Sequence, residues 1–138
     1  MESSIILQVG VKIFLKSKEG KYLLLRRSQV RYPNIRNFWD IPGGRINPGT
    51  TLFQNLRREI EEETELVFSG SPKLISAQDI IRGVEKHIVR LTFTGEIAGT
   101  PILNEEHTDF KWLTLDEMLH VKELDEFTRE VIEKDLVK

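Results

Sequence analysis

The chain contains no cysteine among its 138 residues. That absence excludes disulfides, cysteine-ligated zinc and a thiol nucleophile, and it fits a reducing compartment. No stretch approaches the ~20 consecutive apolar residues of a membrane span. The opening residues, MESSIILQVGVKIF, lack a basic segment followed by an apolar run and a small-residue cleavage site. A cytoplasmic protein with no membrane partner is therefore expected. Neither sign of charge dominates, since 20 Lys and Arg stand against 22 Asp and Glu for a net charge of -2. No global basic field draws a nucleic acid polymer, although local clusters leave room for a small phosphorylated ligand. There is no internal repeat, low-complexity tract or linker rich in Pro, Gly or Ser, so one domain over 1–138 is expected.

What is present begins with β-branched, partly alternating residues. IILQVGVKIFLK (5–16) and YLLLRRS (22–28) read as two strands of a hairpin joined by SKEGK. A proline-containing loop (29–37) leads to FWDIPGG (38–44), a short strand predicted to stop at Pro42-Gly43-Gly44. Thr51 followed by Gln54 is a capping-box spacing, and Leu52, Leu56 and Ile60 then recur every four residues, so a helix is predicted over about 51–64. Strands are expected at 72–82, 86–97 and 107–113. A short helix opens at Thr114 with Glu117 as its capping partner, and a last helix is expected over 123–137, with Leu124, Phe127, Val131, Ile132 and Leu136 as its apolar stripe. Strands mixed with a few helices indicate a layered α/β or α+β domain with a partly antiparallel sheet.

REIEEETEL (58–66) carries five glutamates in nine residues. Like charges three or four apart on a helix repel by roughly 0.2–0.5 kcal/mol per pair. At helical spacing Glu59, Glu62 and Glu63 fall in one sector beside the apolar stripe, whereas Glu61 and Glu65 point to the far side. Arg58 is the close local cation, within reach of Glu62 and Glu61. A solvated charged face accounts for most such runs, but here a Gly-rich loop with Gly43, Gly44 and Gly49 precedes the helix and lets backbone approach a ligand. A hard divalent cation such as Mg²⁺, bound by carboxylates, water and phosphate oxygen, would resolve the repulsion.

Residues 44–66 resemble the Nudix box, G-x5-E-x7-R-E-U-x-E-E-x-G-U with U an apolar aliphatic: Gly44, Arg58-Glu59-Ile60-Glu61-Glu62-Glu63 and Leu66 stand at the required spacing. LLLRRS and W-x-I-P-G-G (Trp39 to Gly44) match the usual setting. Two positions depart. Thr50 replaces the first Glu, which would leave Arg58 without its usual partner, and Glu65 replaces the Gly that takes φ > 0 at the helix end.

The resemblance implies an α/β/α sandwich with a mixed sheet. It also implies Mg²⁺- or Mn²⁺-dependent hydrolysis of a nucleoside diphosphate linked to another group, so the expected partner is a small-molecule nucleotide. Glu59, Glu62 and Glu63 are the expected metal ligands, joined by a backbone carbonyl at Gly43 or Gly44, with Arg58 orienting the cluster. Glu105 or Glu106 is the candidate general base and His107 a weaker one. Arg26 or Arg27 is expected to meet a phosphate, and Tyr32, Phe38 and Phe110 are candidate walls for a base, with Trp39 and Trp112 assigned to the core. A (deoxy)nucleoside triphosphate or an oxidised nucleotide is the expected substrate. A non-catalytic nucleotide-binding module on the same fold is the alternative. Homodimers occur in the family, but no feature of the sequence marks an interface.

Overall fold

The computed structural model describes residues 5–137; the outer bounds of the expected 1–138 domain lie outside them. In chain order the described elements are β1 (Ile6–Lys16), β2 (Tyr22–Arg27), β3 (Trp39–Asp40), β4 (Gly43–Arg45), α1 (Leu52–Thr64), β5 (Lys73–Arg82), β6 (Lys86–Glu96), β7 (His107–Leu113), α2 (Leu115–Leu119) and α3 (Glu126–Glu133). The strands form one mixed sheet in the order β3-β2-β1-β6-β5, with β4 paired to β1 and β7 to β2. β1 and β6 run parallel from Ile6↔Lys86 to Lys16↔Glu96, and the other pairs are antiparallel.

The alternation along β1 and β2 divides the molecule into two cores. Val11, Ile13, Leu15, Leu23 and Leu25 face α1, where they bury Leu56 and Ile60 together with Phe68 and Phe93. Phe14, Tyr22 and Leu24 face the other way and pack with Trp39, Ile41, Met118, Leu124, Val131 and Ile132 beneath α2 and α3. Each fully buried Leu or Ile side chain contributes about 1.5–3 kcal/mol. Helices on both faces of a mixed sheet are the expected α/β/α arrangement.

Three local expectations change. The β1–β2 hairpin exists, but its ladder holds one residue pair, Lys16↔Tyr22. β4 takes the adjoining edge of β1 through Gly10↔Arg45, Val11↔Gly44 and Lys12↔Gly43. Pro42 therefore interrupts the strand rather than ending it: it lacks an N–H, yet its carbonyl accepts from the Ile13 N–H at 3.0 Å. Finally, α3 is shorter than the predicted 123–137. Leu124 is drawn into a bridge with Trp39, Asp125 caps the helix at Phe127 and Thr128, and Asp135 turns left-handed at φ 57°. That turn buries Val137 and leaves Leu136 at the surface.

Candidate active site

α1 starts at Thr51, whose hydroxyl accepts from the Gln54 N–H while Gln54 returns a bond to the Thr51 N–H. This is the capping box read from the spacing. The helix ends at Glu65, which takes φ 58° and donates its N–H to the Glu61 carbonyl. The glutamate therefore adopts the left-handed conformation that the resemblance assigns to glycine, with no extension of the helix. Between these ends the acids follow the wheel at four of five positions: Glu61 and Glu65 are exposed, Glu59 is half-buried and Glu63 is buried, but Glu62, expected with the inner group, is exposed and leans on Arg58 at the rim of the cluster.

The Gly43-Gly44 backbone presses directly on these acids. A Cβ on Gly44 would lie 2.7 Å from the Glu59 carboxyl carbon, and one on Gly43, at φ +139°, would lie 2.0 Å from the Val11 carbonyl oxygen. Gly43 is thus required by close approach to backbone, and a side chain at position 44 would displace the Glu59 carboxylate. The Gly43 N–H donates to Glu63 Oε1 at 2.8 Å.

Arg58 gathers the rest. Its guanidinium lies 3.0 Å from Glu59 Oε1 and 3.3 Å from Glu62 Oε2, so the pairing expected with Glu61 is replaced by one with Glu59, on the buried side. Arg58 also donates to the Arg45 carbonyl at 3.2 Å and to Asn55 Oδ1 at 3.0 Å. Asn55 is fully buried. Its Oδ1 also accepts from the Asn47 N–H, while its Nδ2 donates to Thr50 Oγ1 and the Thr51 carbonyl. Arg58 therefore does not lose its partner when Thr50 replaces an acid, because Asn55 ties guanidinium, loop and Thr50 together. A polar residue next to Leu56 on the buried side of the helix was the available signal.

Burial shifts the inner acids. It pushes Glu59 above its ordinary value, with Arg58 opposing and with Glu62 and Glu106 adding to the rise. It raises Glu63 to about 8, against the pull of Lys12 and the Gly43 N–H. The His107 side chain is 6% exposed and turned into the cluster. Its Nε2 lies 3.5 Å from Glu63 Oε2, and its Nδ1 lies 3.0 Å from Asn104 Oδ1. An oxygen acceptor there keeps the proton on Nδ1 and leaves the Nε2 lone pair facing Glu63, the arrangement that suits a protonated carboxyl. Burial, with Lys12 and Arg27, holds the imidazole down to about 4.

The remaining candidates separate by face. Arg27, in phase with Leu23 and Leu25, lies on the α1 side, where its charge acts on Glu63 and His107. Arg26 faces the other side. It bonds Thr108 Oγ1 at 2.9 Å and Gln29 Oε1 at 2.8 Å, and it stacks 4.6 Å from the Phe38 ring. Tyr32 lies under Arg27 at 5.9 Å. Glu106 is close enough to act on Glu59, whereas Glu105 pairs with Arg31 at 3.1 Å with its side chain 89% exposed, so it is not brought to the cluster. Phe110 and Trp112 pack against the α1-side core, and Trp39 is buried as expected. A cleft of about 370 Å³ lined by Phe38, Trp39, Lys111, Leu113 and Val121 opens on the α2 side.

Lys12 is the largest omission from the sequence reading. Its ammonium is buried in the sheet and donates to the Ile41 carbonyl at 3.1 Å and the Gly43 carbonyl at 3.3 Å, with Asp40 Oδ2 at 3.2 Å. Asp40 is held in turn by Arg90 and by the Thr128 hydroxyl. A lysine inside the apolar run VGVKIF was the signal.

The oxygen-only donor set of Glu59, Glu62, Glu63 and the Gly43 carbonyl, which has a second lone pair besides the one Lys12 uses, suits a hard divalent cation. Among the described residues no three acidic or histidine side chains are already grouped as metal ligands. Arg58 stands between Glu59 and Glu62, and Glu63 turns to Gly43 and His107.

The model of the NUDIX domain matches residues 6–134 of the chain. The nucleoside triphosphatase NudI of Escherichia coli O17:K52:H18 is 29% identical over 119 residues, covering 77% of this chain and 82% of that protein. Among solved structures, a MutT protein from Methanosarcina mazei Go1 superposes with a TM-score of 0.81 at 27% identity, covering 96% of this chain and 95% of that one. A MutT NUDIX hydrolase from Burkholderia pseudomallei, at 23% identity over 93% of this chain and 97% of that one, shares the fold with a TM-score of 0.76.

Proposed function

The chain belongs to the NUDIX family and is a hydrolase of phosphoric anhydride bonds, and from that premise we propose that it cleaves a (deoxy)nucleoside triphosphate, or an oxidised form of one, to the monophosphate. The observation that carries this reading is the placement of Glu59 and Glu63 against the Gly43-Gly44 backbone, with Arg58 joining Glu59 to Glu62 at the exposed rim. The likeness to a nucleoside triphosphatase supports the substrate class. Family members generally require a divalent metal ion, and Mg²⁺ or Mn²⁺ suits these ligands. Such an ion, when bound, polarises the phosphoryl group and lowers the pKa of a coordinated water.

The chain's own residues supply positions and charge. Arg58 keeps Glu59 and Glu62 on the metal side of the helix, and the Gly43 N–H keeps Glu63 turned inward. Arg27, whose charge acts on Glu63 and His107, is the guanidinium proposed to meet a phosphate. Glu106 is the acid placed to accept the proton of the attacking water. Tyr32, beside Arg27, is the aromatic group for the nucleoside, whereas Phe38 stacks on Arg26 and lines the cleft on the opposite, α2 side. The chain is proposed to act as one domain.

Incubation with a panel of nucleoside triphosphates, dinucleoside polyphosphates and nucleotide sugars, with Mg²⁺ or Mn²⁺, tests the substrate. Nucleoside triphosphates should give monophosphate and pyrophosphate with the highest kcat/KM. Preference for another class would overturn the substrate reading. Glu62→Gln and Glu63→Gln should each lower kcat by on the order of 10²-fold or more. Turnover that survives both would overturn the residue assignment.

A further inference from the structure

We infer that Lys12 is a positioning residue that fixes the Gly43 backbone, and through it Glu63, in the geometry the metal-binding face requires. This inference rests on the metal-dependent reading above. Lys12 is 8% exposed, and its three protons have three acceptors: the carbonyls of Ile41 and Gly43 and the carboxylate of Asp40. A fully satisfied ammonium in this position has no proton left for a phosphate, which argues against a direct role in substrate binding. It grips carbonyls on both sides of Pro42, the one residue in this stretch that cannot anchor itself through an N–H. The next N–H along the chain, that of Gly43, holds Glu63.

The grip is itself braced. Asp40 bonds Arg90 and Thr128, Arg90 reaches Asp125 at 3.3 Å, and Asp125 caps α3. The Asp125 N–H donates to the Trp39 carbonyl at 2.8 Å, and the Trp39 N–H to the Glu123 carbonyl at 2.9 Å. The segment from Trp39 to Gly43 is therefore held from the sheet by Lys12 and from the far layer by α3. Without Lys12, the Ile41 and Gly43 carbonyls lose a buried donor, and the Gly43 peptide keeps only the Pro42 carbonyl on the Ile13 N–H and the short β4 ladder to aim its N–H at Glu63.

Charge and position predict opposite effects on metal binding, which makes the inference testable. Removal of a neighbouring cation by itself would tighten binding of a divalent ion, whereas loss of position weakens it. Lys12→Met keeps the length of the side chain. Lys12→Met/Asp40→Asn also restores charge balance in the cluster. In both variants the Gly43 amide, followed by NMR, should exchange at least about tenfold faster, and Mn²⁺ alone, titrated by EPR, should bind about 10- to 100-fold more weakly. On a nucleoside triphosphate, kcat per folded molecule should fall while KM stays within about threefold. Unchanged or tighter Mn²⁺ binding in a folded variant overturns the inference, and failure of both variants to fold reassigns Lys12 to stability and overturns it too. A wild-type protein that ignores nucleoside triphosphates counts against the substrate reading alone, since the amide exchange and Mn²⁺ titration need no substrate.

Discussion

Glu63 and His107 shift in opposite directions for the same reason: each is buried where its charged form is poorly solvated. An unfolded Glu63 would release its proton near 4.5, whereas the folded one holds it to about 8. Between those values the native state binds more protons, so stability falls as pH rises. His107 titrates at about 4 in the fold against 6.5 unfolded, so it contributes a rise over that interval. The two oppose each other up to about pH 6.5, above which Glu63 acts alone. The melting temperature of the metal-free protein should therefore fall between pH 6.5 and 8, and Glu63→Gln should remove that fall. The glutamine amide can still accept from Gly43 and can donate to His107, as the protonated acid does. A wild-type profile that is flat over this range would show that Glu63 is ionised in the fold.

The helices illustrate which parts of an element are local. Both capping boxes, Thr51 with Gln54 and Thr114 with Glu117, form as their spacing predicts, because a cap involves atoms within one turn. Helix ends depend on what the chain meets next, and the shortened α3 follows from contacts with Trp39 that no spacing within 123–137 encodes. At the C-terminus of α1, Glu65 combines a left-handed backbone with a negative charge at the negative end of the helix dipole. Glu65→Gly should raise stability by about 1 kcal/mol, seen as a higher urea midpoint at unchanged slope. A lower midpoint would mean that the glutamate side chain makes a compensating interaction.

At the scale of the whole molecule, the buried cluster of Lys12, Asp40, Arg90 and Asp125 joins the sheet to α3 and braces the loop beside α1. Two cations and two anions balance inside the fold, so loss of one leaves an uncompensated buried charge. Arg90→Ala should cost about 3–5 kcal/mol in denaturant unfolding, and a loss below about 1 kcal/mol would show that the cluster relaxes or hydrates freely. The cluster was not legible beforehand: its members lie at positions 12, 40, 90 and 125, on different strands and at a helix cap. The acidic face was legible because Glu59, Glu62 and Glu63 lie within five consecutive residues, and helical periodicity alone puts them on one side.

The sequence by itself determined what short-range geometry controls: the strands other than β4, the helix α1, the two capping boxes, the setting of Glu59 and Glu63 apart from Glu61 and Glu65, and the resemblance that named the family. Tertiary structure decided which neighbours those groups meet. It placed Arg27 rather than Arg26 beside Glu63, separated Glu106 from Glu105, supplied Asn55 to Arg58, buried His107 and set Lys12 under the Gly43 carbonyl. The physical reason is that periodicity fixes the direction of a side chain relative to its own element. Burial, ion pairing and pKa depend on which distant elements the sheet order brings against it.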